Sequence, residues 1–311
     1  MPEVKRIPLL DSVTLERQAQ QYGLASNALE RLVAMDRALR FLVASSAAGG
    51  LPPDEIFGYA LAGPVALICV YLHTGIPLRL PDELTFVPVR RDVAYSSSDL
   101  ARSVAAALPS GTMAPDSRDT EAFHIDFLGL KGPGNFLLRV ERPVLAMAAP
   151  LDVHLAAAAH PGYLYDPRMK FSPNFSTPFP VPVAYAEEII LRTMRALIMF
   201  AKRDTPPARI DDRPCRADDL RLLLRYEYEA TLYAVGFPVR ARLMELLGTS
   251  VPFDPWIRNF VLALEDQVRR TCQTDAVPPT LRPSGAGYDE DERLDFLHKI
   301  SVLADVLQHG G

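Results

Sequence analysis

The sequence predicts an α+β protein: a mixed sheet flanked by helices, preceded by an N-terminal helical segment and followed by a C-terminal helical bundle. Three observations carry this expectation. Within residues 12–48, Leu29, Leu32, Met35, Leu39 and Leu42 recur at three- and four-residue spacing, the period of a helix with one buried face. Between residues 84 and 155 the pattern shortens to β-like runs punctuated by glycine and proline. From residue 184 onward the helical period returns. The expected divisions are residues 1–50 for the N-terminal helices, 51–183 for the α/β unit and 184–311 for the helical domain.

Taken in order, residues 12–48 read as helix, with Asp11 or Ser12 as N-cap and with Val33 and Val43 widening the apolar stripe. Gly49-Gly50 ends it. Pro52-Pro53-Asp54-Glu55 opens a second helix, with acids in the first turn, where the helix dipole favours them. That helix is apolar: residues 56–72 are seventeen uncharged residues, short for a membrane span and interrupted by Gly63-Pro64, so they read as a buried helix of a globular protein. Strands are expected at 84–89, 122–128, 136–140, 144–147 and 151–155, with Gly132-Pro133-Gly134 as a break. Residues 98–108, SDLARSVAAAL, read as an amphipathic helix capped by Ser98. Residues 160–182 carry many aromatics and prolines and read as an ordered extended segment lying across the α/β unit. Helices are expected at 184–202, 217–235, 238–247, 255–272 and 289–307. No repeat at a fixed period argues for a solenoid.

Composition narrows the function classes. At 311 residues with 49% hydrophobic content, the chain can fill a sizeable core. Lys+Arg 33 against Asp+Glu 38, a net charge of -5, gives no overall basic bias of the kind that drives non-specific nucleic-acid binding. Cys69, Cys215 and Cys272 are far apart and odd in number, with no metal-binding spacing, which argues against a disulfide framework and a structural zinc site. The first residues turn polar within a few positions, so export is not expected and a reducing cytoplasm is.

The stretch that points to chemistry is 59–86, YALAGPVALICVYLHTGIPLRLPDELTF, an apolar segment followed by a turn and an acidic entry into a strand. Two-metal phosphoryl chemistry needs two or three carboxylates around ions ~4 Å apart. Residues two apart on a strand share a face, so such sites favour an acid-x-acid pair. Here the positions with that spacing are Glu83 and Thr85, so one carboxylate is in place and its partner is a hydroxyl. Asp82 falls on the opposite face if the strand has begun there, but at a strand entrance it can turn toward a metal; Asp152 and Asp126 on other strands are alternatives for a third acid. The bland reading of each acid taken singly is a solvent-facing residue at a strand end.

That stretch resembles the motif of the AbiEii/AbiGii-type nucleotidyltransferases, the toxin half of many bacterial toxin-antitoxin and phage-resistance pairs. The family reads as an apolar residue, Lys, Gly-Gly-Thr-Ala-Leu, a helix, then Arg-Phe-Ser-x-Asp-Leu-Asp-Phe. Leu61, Gly63, Ala66, Leu67, Arg79, Leu84 and Phe86 fall in register with it. YAEEIILRTMRALI resembles a later helix of the family through Glu187, Glu188, Ile189, Arg195, Ala196 and Leu197, and RADDLRLL resembles another through Asp219 and Leu220. The resemblance spans about residues 55–225 and departs from the family at the ligand positions: Pro64 and Val65 replace Gly and Thr, Pro81 the serine, Glu83 and Thr85 the two aspartates, and Thr193 the lysine.

The resemblance implies a nucleotidyltransferase-like fold and a cytoplasmic, Mg²⁺-dependent enzyme that moves a nucleoside monophosphate from an NTP to a tRNA or protein acceptor, with an antitoxin as partner and no membrane role. By the same resemblance, Glu83 with Asp152 or Asp82 would hold Mg²⁺. Gly63, Arg79, Arg195 and Arg216 would meet the nucleotide, and Asp219 would orient phosphates or act as base. The degenerate site keeps an alternative open: a catalytically silent member that binds a nucleotide or a partner. A Mg²⁺-independent enzyme using His124, His154 and Asp152 is a third. The histidines His73, His124, His154 and His160 otherwise read as structural or surface residues, because spacing establishes no convergent ligand set. The arginines around the two resembling helices read equally as solvated helix faces or as a phosphate-contacting surface.

Overall fold

A computed structural model of the chain describes residues 11–21, 26–50, 55–66, 69–70, 83–89, 102, 104–106, 123–132, 135–142, 147–155, 165–167, 169–171, 177–185, 188–189 and 298. The chain divides into two compact units, Met1–Ala184 and Tyr185–Gly311. Nearly all described residues belong to the first, which is mixed α/β: a seven-stranded mixed sheet and a few helices. The expected C-terminal helical bundle lies outside the described residues, as do the helix expected at 98–108 over most of its length and Asp82, Arg79, Arg195, Arg216 and Asp219.

Helix α1 (Ser12–Gln21) starts where Asp11 accepts from Thr14 N at 2.7 Å through Oδ1, and from Leu15 N at 3.0 Å through its carbonyl. Helix α2 (Ser26–Ala48) covers most of the rest of the helical stretch expected over residues 12–48, and residues 22–25 between the two lie outside the described residues. It ends at Gly50, whose φ of +73° is the left-handed conformation that glycine adopts without steric penalty. One face of α2 buries Leu32, Met35, Leu39 and Leu42 and packs on the sheet at β4 (Asn135–Arg142) and β5 (Met147–Leu155).

The interior of α2 also holds charge. Asp36 is fully buried; Arg37 donates to it, and Arg40 Nε reaches its two oxygens at 3.2 and 3.1 Å. Arg40 extends further, donating through Nη2 to Thr177 O at 2.5 Å with its guanidinium 4.1 Å above the centre of the Phe179 ring. One helical carboxylate thus organises two arginines, and the second of these ties α2 to β8 (Phe179–Pro180).

The apolar segment after Glu55 differs from expectation. Residues Tyr59–Ala62 form strand β1, antiparallel to β2 (Glu83–Pro88) with Tyr59 opposite Pro88 and Ala62 opposite Thr85. Gly63–Ala66 (α3) turns helical directly after it, and Cys69 and Val70 are helical too. The reason is burial: a strand covered on both faces reads as an unbroken apolar run, which periodicity cannot separate from a buried helix. All four β1 side chains are buried. The turn that feeds β1 is pinned by Ser46 Oγ, which accepts from Phe57 N at 3.0 Å and donates to Glu55 O at 3.2 Å.

Strands β3 (His124–Gly132), β4 and β5 form a meander, with Gly132 paired to Asn135 across the expected Gly-Pro-Gly break. The two strands expected at 144–147 and 151–155 are replaced by the single nine-residue β5. Pro150 sits within it, opposite Arg139. Sheet order is β3-β4-β5-β2-β1-β9-β6. Strand β5 runs parallel to β2, and β9 (Val183–Ala184) runs parallel to β1, held by Leu61 N donating to Pro182 O at 2.8 Å. In the aromatic and proline-rich stretch, β6 (Tyr165–Asp166) pairs with β9, while β7 (Lys170–Phe171) and β8 form a separate two-stranded ribbon. The core lies between α2 and one face of the sheet, where Phe136, Leu138, Leu151, Val153, Leu84 and Phe86 are buried. Each such side chain contributes roughly 1.5–3 kcal/mol by leaving water.

Candidate functional site

Because β2 and β5 are parallel neighbours, their register decides which side chains meet. Glu83 stands opposite Asp152 and Thr85 opposite His154. Paired residues share a face, and the intervening Leu84 and Val153 point to the core. The opposite face therefore carries a two-by-two block of polar side chains on the sheet's central strands. The row through Thr85 continues on both sides, to Ala62 on β1 and to Asn135 on β4.

The four members differ in environment. Glu83 is half-buried. Asp152 receives the Lys131 ammonium, with Nζ 2.9 Å from both carboxylate oxygens. This is an exposed pair, Lys131 at 62% and Asp152 at 38% exposure, so it contributes little stability. Thr85 is buried at 1% exposure, and its hydroxyl has no hydrogen-bond partner among the described residues. His154 Nδ1 lies 2.6 Å from Asn135 Oδ1. An amide oxygen only accepts, so Nδ1 carries the proton; in the neutral ring Nε2 is then a bare acceptor. That atom is buried and has no partner either.

The sequence-derived candidates thus separate. Glu83 and Asp152 come together. Gly63 follows Ala62 at the head of α3 with φ +72°, a conformation that suits glycine and explains the residue without a ligand. Pro64 and Val65 follow it in the same short turn. Asp126 does not join: it lies on β3, two strands beyond β5, where Arg139 Nη2 donates to it at 2.8 Å and His124 Nε2 lies 2.7 Å away. The Arg139 hydrogen bond, with His124 assisting, holds the Asp126 carboxyl below the ordinary aspartate range. His124 is thereby engaged away from His154.

Sequence reasoning singled out Glu83, Asp152 and His154 but assigned no role to Thr85 beyond a missing acid, and none to Asn135 or Lys131. The β5 register that joins them comes from a long-range parallel pairing that local patterning does not specify. Among the described residues no group of three His, Cys, Asp or Glu is placed to hold a metal ion. Glu83 and Asp152 supply hard carboxylate oxygens, the donor type Mg²⁺ takes one or two of while its other positions go to water and substrate phosphate. Among the described residues no helix is long and apolar enough to cross a membrane. Compared with protein-family models, curated proteins and solved structures, the chain shows no match to any.

Proposed function

We propose that the chain is a nucleotidyltransferase-type protein of the toxin-antitoxin kind, binding a nucleoside triphosphate with Mg²⁺ at Glu83 and Asp152 and passing the nucleoside monophosphate to a tRNA or protein acceptor. The observation that carries this reading is the register match of Glu83 with Asp152 on adjacent parallel strands, with the β1-α3-β2 connection leading into it. In this reading the two carboxylates hold the cation, which when bound would neutralise phosphate charge. By the family resemblance, Gly63, Arg79, Arg195 and Arg216 would meet the nucleotide, and Asp219 would orient phosphates or act as base. Labelled NTP with Mg²⁺ and bulk tRNA should give a labelled acceptor, and the label should disappear in Glu83→Ala. Persistence of the label in that variant overturns the assignment.

A second reading is a catalytically silent nucleotide binder. Two observations favour it: the acid-x-acid partner position is Thr85, and Lys131 occupies both oxygens of Asp152. Calorimetry with NTP separates the two, since a silent member binds without turnover.

A further inference from the structure

We infer that Thr85 and His154 form a subsite for a ribose hydroxyl of the nucleotide bound beside them, an inference that rests on the nucleotide reading above. The pair stands in register on β2 and β5, and each contributes a buried polar atom without a partner among the described residues, Thr85 Oγ1 and His154 Nε2. A buried polar atom left unmade costs about 1–3 kcal/mol. Two of them on facing positions call for one group that satisfies both. With Nδ1–H committed to Asn135, Nε2 accepts; the threonine hydroxyl both donates and accepts. A single ligand hydroxyl is the complement: it donates to Nε2 and accepts from Thr85. A carboxylate or phosphate oxygen has no proton to give Nε2, and an ammonium, though it could donate to both atoms, would bring an unpaired charge to two buried positions.

Position selects the ribose. Thr85 and His154 are the next same-face residues after Glu83 and Asp152, so the two rows lie about 7 Å apart along the strands. That is the kind of separation found between the phosphates of a nucleotide and its sugar hydroxyls. Phosphates over the Glu83 row therefore place the sugar over the Thr85 row. Asn135 is a positioning residue, because its carbonyl fixes the His154 tautomer. The neighbour of Thr85 on the β1 side is Ala62, whose side chain is a single methyl group.

Calorimetry of the full chain with ATP, 2′-deoxyATP and 3′-deoxyATP, each with Mg²⁺, tests this. One of the deoxy analogues should bind at least tenfold more weakly than ATP. Thr85→Val and His154→Phe, each confirmed as folded by circular dichroism, should erase that discrimination while retaining binding of the weaker analogue. Asn135→Ala, which removes the acceptor that fixes the tautomer, should reduce discrimination without removing the imidazole. Equal affinity for all three nucleotides, or discrimination unchanged in both variants, overturns the subsite and leaves the nucleotide reading intact; in that case the pair encloses a structural water. Absence of binding by any of the three at millimolar concentration overturns the nucleotide reading and the subsite together.

Discussion

Glu83 and Asp152, sixty-nine positions apart in the chain, are direct partners across the parallel β2–β5 ladder, and Lys131 from the edge strand reaches over to Asp152 alone. The carboxylate pair is therefore asymmetric: one member is half-buried with no cation against it among the described residues, the other carries an exposed ammonium. Any cation drawn to the pair competes with Lys131.

This competition has a measurable sign. An exposed ion pair contributes at most about 1 kcal/mol, so Lys131→Ala should tighten Mg²⁺ or Mn²⁺ binding by no more than about fivefold. Titration calorimetry at low ionic strength reads it, and the gain should shrink as salt is added. Weaker cation binding in Lys131→Ala would show that Asp152 is no ligand. Glu83→Gln should remove the binding altogether.

The buried charge in α2 should dominate stability. Removing one partner of a buried ionic cluster is strongly destabilising, by about 3–5 kcal/mol. Asp36→Ala should lower the stability of the first unit by that amount in urea denaturation, since both Arg37 and Arg40 lose their shared carboxylate. Arg40→Lys should also destabilise it, because an ammonium cannot hold Asp36, reach the Thr177 carbonyl and cover the Phe179 ring together. A loss under about 1 kcal/mol for Asp36→Ala would mean that the cluster opens to water.

How much of this was readable in the letters depends on range. Strands β2, β3 and β4 announce themselves by alternation and by the Gly-Pro-Gly break, and the Asp11 cap by its position ahead of an apolar stripe. The β1 strand did not, because YALAGPVAL is apolar throughout and both periods fit it equally. Asp36 was hidden for the complementary reason: an Asp-Arg pair in a helix reads as a solvated face, and only the packing of β8 against α2 shows that it is not. The Glu83–Asp152 match was named as one alternative among Asp82, Asp126 and Asp152, and it took the strand order to choose between the last two. Thr85 and His154 were legible as residues, whereas their common lack of a partner is a property of three dimensions.

Gly63 offers a test of the turn that follows β1. Its φ of +72° lies where a side chain meets the neighbouring carbonyl, a strain of about 1–2 kcal/mol for an L residue. Gly63→Ala should show that loss in urea denaturation, and nucleotide affinity should weaken only as far as Ala62 shifts beside Thr85. A glycine needed for close phosphate approach would instead lose affinity well beyond its stability change.

The cross-strand pair on β3 and β4 gives a pH prediction with a defined sign. Asp126 is held below the ordinary carboxylate range by the Arg139 hydrogen bond first, which outweighs an opposing desolvation effect, and His124 adds a smaller lowering. A carboxyl whose folded pKa is depressed contributes stability that is fully present above its unfolded pKa, near 3.9, and lost as pH falls through the folded value. The Asp126–Arg139 contribution is therefore constant at neutral pH and disappears only below about pH 4. Carboxyl-detected NMR should place the Asp126 midpoint below that of a free aspartate, and Arg139→Gln should move it back up. Because the pair is largely open to solvent and screened by salt, the β3–β4 hairpin should survive the substitution, with only its acid limb altered. An Asp126 midpoint unchanged in Arg139→Gln would assign the depression to His124, and His124→Gln would then have to abolish it.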